Sequence, residues 1–230
     1  MPQLLHETST TRDGNLAFRW GDRDEVFASR SSFLKKAGKD PADCVYMEVE
    51  HGDSITHVRD VDVGKTITTE AFLTRDKGVV LFLLTGDCFP IVFYDPHKEV
   101  LGLAHLGWKP IDKGLVAKII EEMGAVYDSS PEDIQIHIGP GIHKESYVFE
   151  NPPHKNLYGW SEFLTISESK ETHIDLIGHI QKQLLDSGVL PENIQISPVD
   201  TATSSEYFSH YRAIRSGEQE GRFATIAGLI

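Results

Sequence analysis

The chain is poor in cysteine, in positive charge and in long apolar runs. Only Cys44 and Cys88 occur among its 230 residues. Two cysteines make no disulfide framework, which excludes the small stapled scaffolds of secreted domains. No window reaches the roughly 18 consecutive apolar residues that a membrane-crossing helix needs. The opening Met1-Pro2-Gln3-Leu4-Leu5-His6-Glu7 lacks a basic segment and an apolar segment, so no signal peptide is expected there. These absences together predict a soluble, cytoplasmic protein without a membrane partner. Lys and Arg number 22 against 35 Asp and Glu, a net charge of −13. A surface of that sign repels phosphate polymers, so nucleic-acid binding is not expected. A small anion remains possible wherever a few cations cluster locally. No low-complexity linker divides the chain, and the expectation is one domain over residues 1–230 with a core of ordinary size.

The apolar residues that are present fall into clear patterns. Val26 to Lys36 is compatible with a short helix. Cys44 to Glu50 alternates Val45, Met47 and Val49 on one face, the period of a strand. Val79 to Leu84 is a continuous apolar run, as in a strand buried on both faces. Pro90–Tyr94 and Val100–His105 flank Asp95-Pro96-His97-Lys98 and read as a hairpin. Leu115, Ile119, Ile120 and Met123 share one helical face. A second amphipathic helix carries Ile174, Ile177, Ile180, Leu184 and Leu185, and Gly188 is placed to end it. Pro131-Glu132-Asp133-Ile134-Gln135-Ile136 is echoed by Pro191-Glu192-Asn193-Ile194-Gln195-Ile196. The echo reads either as a common helix–turn–strand connector or as a structural duplication. The fold class expected is α/β (α+β), a mixed-sheet sandwich with helices packed on its sheets.

Chemistry-bearing residues gather at three strand ends, each beside glycine: Glu50-His51-Gly52-Asp53, Thr85-Gly86-Asp87-Cys88-Phe89-Pro90 and His105-Leu106-Gly107-Trp108-Lys109. His51, Cys88 and His105 form a His2Cys set. Three protein ligands and an open position suit catalytic zinc, and the donor types also suit copper. The same residues fit a second chemistry, with Cys88 as nucleophile, His105 or His51 as its base and Asp87 nearby. Sequence does not separate the two, and a buried core role for each residue stays open as well. Lys109 and Lys113 make a small cationic spot at a helix start. Arg212 and Arg222 in the tail are candidates for orienting an anionic or planar group. Gly139-Pro140-Gly141 is a turn after a strand. His6, His97, His154, His173 and His179 read as surface residues.

Taken in order, these segments resemble one family. Thr85-Gly86-Asp87-Cys88-Phe89-Pro90, Ala104-His105-Leu106-Gly107-Trp108-Lys109 and Ile138-Gly139-Pro140-Gly141-Ile142 with Tyr147 look like successive motifs of the multicopper polyphenol oxidase, or laccase-domain, family. Its members are also described as zinc-dependent purine nucleoside phosphorylases and include the bacterial peptidoglycan editing factor. His51-Gly52, Phe208-Ser209 with Arg212, and Gly221-Arg222 resemble further motifs, so the likeness runs from about residue 43 to 230.

The resemblance implies zinc on His51, Cys88 and His105. It implies phosphorolysis of adenosine, inosine, guanosine and methylthioadenosine, together with adenosine deamination. Small nucleosides and phosphate would be the partners. Zinc would lower the pKa of a bound water towards about 7 for attack on adenosine C6. Lys109 with Arg212 or Arg222 would hold phosphate, and Asp87 would transfer a proton or orient a ligand histidine.

The older family label implies phenol oxidation, for which this chain lacks the extra histidines of a multicopper cluster. A likeness to deamidating cysteine hydrolases keeps the Cys88–His105 nucleophile reading open. A non-catalytic homologue that retains its metal is a further alternative. Several positions depart from the family wording. Glu50 and Gly86 replace valine and alanine, and Lys109 replaces an arginine, keeping the charge but losing the bidentate fork. Ser146 and Asp200 stand where cysteines are frequent, and Tyr211 replaces the first arginine of a pair.

Overall fold

The computed structural model describes residues 4–230, so Met1, Pro2 and Gln3 of the opening segment lie outside the described residues. Two large sheets form the centre. One has five strands in the spatial order Leu4–Thr8, Phe223–Leu229, Val80–Thr85, Cys44–Glu48 and Thr66–Thr68. The other has six, in the order Ile194–Ile196, Gln135–Ile138, Phe89–Asp95, Val100–Leu106, Ala71–Thr74 and Ile55–His57. Both mix parallel and antiparallel pairs. A small third sheet joins Val148–Phe149, Thr172–Ile174 and Leu164–Ile166.

Three apolar clusters define the layers. Val45, Leu81, Leu83 and Ala227 of the five-stranded sheet meet Phe72, Val92, Leu101 and Leu103 of the six-stranded sheet, which makes a sandwich. Phe33 and Leu34 of helix α1 (Arg23–Lys36) cover the outer face of the first sheet against Val80, Phe82 and Ile226. The outer face of the second sheet is covered by α2 (Trp108–Asp112), α3 (Leu115–Tyr127) and α4 (Leu176–Asp186). A fifth helix, α5 (His210–Ser216), precedes the last strand. The mixed-sheet sandwich with packed helices is therefore the observed architecture. Among the described residues, no helix is long and apolar enough to cross a membrane.

The local patterns explain the elements. Asp22 caps α1, its carboxylate accepting from the amides of Asp24 and Glu25. In α3 the i, i+4 spacing puts Leu115, Ile119 and Met123 on one buried stripe. Truncating Ile119 to Ala there costs about 2–5 kcal/mol. The expected hairpin forms between Phe89–Asp95 and Val100–Leu106, and Asp95 accepts from the amides of His97 and Lys98 to make the turn. Helix α4 begins later than the apolar spacing suggests. Ile174 ends a strand instead, and Leu185 is exposed.

The sequence echo has a structural counterpart. Each copy is a single 3-10 turn, Pro131–Asp133 or Pro191–Asn193, between an amphipathic helix and a strand. The two strands, Gln135–Ile138 and Ile194–Ile196, lie side by side and parallel, with Ile194 opposite Ile136. Asn193 donates across to the Glu132 carbonyl, so two helix–turn–strand units pack as neighbours.

Candidate active site

The chain passes between the two sheets several times, and one of these crossings carries Cys88. Val80–Thr85 belongs to the five-stranded sheet, and after Gly86-Asp87-Cys88 the chain enters the six-stranded sheet at Phe89. Cys88 thus sits at the end of the sandwich. The hairpin register sets Pro90 opposite His105 and Phe89 opposite Leu106, which returns His105 to the same end. Cys88 and His105 interact through a side-chain hydrogen bond. Gly107 permits this approach: a Cβ there would stand 2.8 Å from the Cys88 Sγ. The His51 ring meets the His105 ring edge-on, with centroids 5.2 Å apart. The three residues singled out from sequence are therefore neighbours. As they stand, however, no three His, Cys, Asp or Glu side chains among the described residues are arranged to hold a metal ion. The donor types fit zinc, and the spacing is not that of a finished cage.

A fourth residue, absent from the sequence reading, organises this trio. Glu70 is fully buried and immediately precedes the strand Ala71–Thr74. That strand pairs with Val100–Leu106, Ala71 facing Ala104, so Glu70 falls beside His105. The His105 backbone amide donates to the Glu70 carbonyl at 2.8 Å. The His105 ring nitrogen Nδ1 lies 2.7 Å from Glu70 Oε2. Glu70 Oε1 accepts the amides of Glu50 (2.8 Å) and Gly52 (3.0 Å), on either side of His51. Burial would raise this carboxyl's pKa, but His105 and the two amides outweigh it and hold it below the usual value. For His105, burial opposes protonation, and Cys88 and Glu70 overcome it, raising the ring to about 9. His51 moves the other way: burial, His105 and Lys109 keep it below the usual histidine value against the pull of Glu70. The only sequence signal for Glu70 is an acid directly before an apolar strand.

The structure corrects the role expected of Asp87. Its carboxylate serves the C-terminal segment, accepting from the Thr201 hydroxyl at 2.7 Å and the Tyr211 amide at 2.6 Å. Its carbonyl accepts the Ile142 amide. Asp87, with φ of 109°, does line a cleft together with Cys88 and His51, but its carboxylate is committed to Thr201 and Tyr211. Orientation of His105 belongs to Glu70.

Arg212 is likewise corrected. Its guanidinium donates to the carbonyls of Thr201, Ser204 and Tyr207 and to Glu218, which leaves it pinning the tail and not holding an anion. Arg222 does reach the site, stacked 3.8 Å from the Trp20 ring centroid and bonded to Glu220. Lys109 is exposed and lies over Trp108, and Lys113 pairs with Asp53. Ser146 and Asp200, the two positions where the family often has cysteine, face each other as a hydrogen-bonded pair. Cys44 is core: burial pushes its thiol up to about 12. His154, read as surface, is buried between Trp108 and Trp160, with ring centroids 4.9 and 4.5 Å away.

Two clefts meet at this point and share His51, Gly86, Cys88 and His210. One, of about 680 Å³, carries Arg19, Trp20, Thr85, His105 and Arg222. The other, of about 410 Å³, is walled by Trp108, Tyr147, Phe149 and Tyr211. Tyr147, Phe149 and Tyr211 pack edge to face, and Tyr211, which replaces a family arginine, receives a hydrogen bond from Arg215.

Residues 7–230 match the family described as multi-copper polyphenol oxidoreductase laccase. The chain is 26% identical over 221 residues to a Bacillus subtilis protein named purine nucleoside phosphorylase YlmD, covering 90% of this chain and 79% of that one. It is 30% identical over 217 residues to a purine nucleoside phosphorylase of Deinococcus radiodurans, covering 94% and 81%. The structure of the hypothetical protein YfiH of Bacillus licheniformis superposes with a TM-score of 0.89 at 25% identity, over 99% of this chain and 93% of that one. The chain therefore belongs to the multi-copper polyphenol oxidoreductase laccase family, in which these relatives carry the name purine nucleoside phosphorylase.

Proposed function

We propose that this protein is a zinc-dependent purine nucleoside-processing enzyme acting as one catalytic domain, with phosphorolysis of adenosine, inosine, guanosine and methylthioadenosine and deamination of adenosine as its reactions. The observation that carries the reading is the junction of the two clefts at Cys88 and His51. An aromatic wall on one side suits a flat base, and Arg222 on the other suits an anion. The names of the relatives support the same substrate class.

His51, Cys88 and His105 would hold the zinc, which requires the His51 side chain to close on the Cys88–His105 pair. Zinc bound there would supply a Lewis acid and a water of lowered pKa. The chain's own residues do the rest. Glu70 keeps the proton on Nδ1 of His105 and so presents Nε2 to the site. Trp108 and Tyr147 exclude water from one face of a bound base. Arg222, assisted by Lys109 at the rim, offers the positive charge that phosphate needs. Arg212 takes no part, so the anion subsite is thinner than the family motifs imply.

The test is product chromatography with adenosine and inosine, with and without phosphate, on zinc-supplemented protein. Hypoxanthine or adenine appearing only with phosphate, and inosine appearing from adenosine without it, are expected. Absence of turnover for both nucleosides refutes the reading. A second reading has its own support: Cys88, His105 and Glu70 form a nucleophile–base–orienter chain of the kind used for amide hydrolysis. Chelator treatment separates the two, since only the zinc enzyme loses activity.

A further inference from the structure

Glu70 lies outside the segments singled out from the sequence, yet three of its oxygens serve the two histidines. We propose that Glu70 is the positioning residue shared by both imidazoles of the site: it holds His105 directly at Nδ1, and it holds His51 through the two amides that flank it.

His51 has φ of 62°, a left-handed backbone that a non-glycine residue adopts only when its surroundings impose it. Glu70 Oε1 imposes it by gathering the Glu50 and Gly52 amides onto one oxygen. The other oxygen faces the His105 ring, and the Glu70 carbonyl holds the His105 backbone. One buried carboxylate therefore ties together two rings that come from a loop and from an interior strand. A carboxylate only accepts, so every donor around it has a defined direction. The Nδ1 position of His105 must carry a proton, and Nε2 is the nitrogen left for Cys88, a metal or a substrate.

An amide in place of the carboxylate breaks this logic without changing shape. In Glu70→Gln the carbonyl oxygen is retained by the two backbone amides, which outnumber the single ring. The NH2 group then points at His105 Nδ1, which must become an acceptor and give up its proton. Glu70→Asp keeps an acceptor-only group and serves as the conservative control.

The experiment compares wild type, Glu70→Gln and Glu70→Asp by two measurements. One is zinc affinity by chelator competition. The other is the protonation of His105 Nδ1, read by 15N NMR of ring-labelled, metal-free protein at neutral pH. The expected result is a loss of about 10–100-fold in zinc affinity for Glu70→Gln. Its Nδ1 loses the proton, and Glu70→Asp restores both readouts towards wild type. Unchanged affinity together with a retained Nδ1 proton in Glu70→Gln overturns the assignment, as does an Asp variant that restores neither. The assignment rests on the nucleoside-processing reading only for the identity of the metal. If the wild type binds no zinc, that reading fails, and the Nδ1 proton alone decides the role of Glu70: its loss in Glu70→Gln supports the role and its retention overturns it.

Discussion

Glu70 and Asp87 are both buried carboxylates near Cys88, and they serve different regions of the molecule. Asp87 is joined to Cys88 by a peptide bond, but it gathers the C-terminal segment through Thr201 and Tyr211, and the Thr201 carbonyl in turn accepts from Arg212. Glu70 belongs to a different turn and gathers the site, touching His105 and the amides around His51. The difference shows that covalent adjacency is a poor guide to partnership at a turn where the chain passes from one sheet to another. Strand register is the better guide. Glu70 reaches His105 because Ala71 pairs with Ala104, whereas the Asp87 carboxylate is taken up by Thr201 and Tyr211.

The largest effect that sharpens this division is expected at Arg212. Arg212→Ala removes one donor group from three carbonyls and a carboxylate, and should lower stability by about 2–4 kcal/mol. Urea unfolding measures it, and zinc affinity should stay within about threefold of wild type. A large fall in zinc affinity would break the division between tail and site. Asp87→Asn should cost about 1–3 kcal/mol by spoiling a buried acceptor, again without the loss of metal expected for Glu70→Gln. A fall in zinc affinity equal to that of Glu70→Gln would return Asp87 to the site. Arg222→Ala should behave oppositely to Arg212→Ala. Unfolding should change less, by about 1–2 kcal/mol from the lost Trp20 stack and Glu220 pair, while the KM for phosphate should rise about tenfold or more if the Trp20-stacked guanidinium receives the anion.

A pH dependence belongs to neither carboxylate. Burial lowers His6 and His154 to about 4 in the folded protein, against an unfolded value near 6.5. Between those values the unfolded chain binds more protons, so stability is fully present above pH 6.5 and declines as pH falls towards 4. Each residue should contribute on the order of 1–2 kcal/mol to the loss at pH 5. Comparing the urea midpoint at pH 7 and pH 5 measures it, and His154→Phe, which needs no proton between Trp108 and Trp160, should flatten part of the slope.

Much of the fold was legible because its signals are local. The hairpin around Asp95, the stripe of α3 and the apolar run before Thr85 each contain their own period and punctuation. The trio His51, Cys88 and His105 was legible as three similar strand ends, although nothing local placed them together. His154 was misread because Pro152-Pro153-His154-Lys155 is polar in sequence, and only the fold lays Trp108 and Trp160 on either side of the ring. Arg212 was misread because a guanidinium in a tail has the same sequence appearance whether it meets carbonyls or an anion.

The scarcity of cysteine now has a sharper meaning. Of the two, Cys44 is sealed in the core and Cys88 stands where two clefts meet. By itself the sequence determined the elements, the layered α/β class and the donor types, because helix and strand periods and side-chain chemistry are properties of short stretches. Tertiary structure alone decided which carboxylate orients His105, which arginine lines the cleft and which histidines are dry. Those outcomes depend on strand register and on the direction a side chain leaves its turn, and both are set by contacts between residues far apart in the chain.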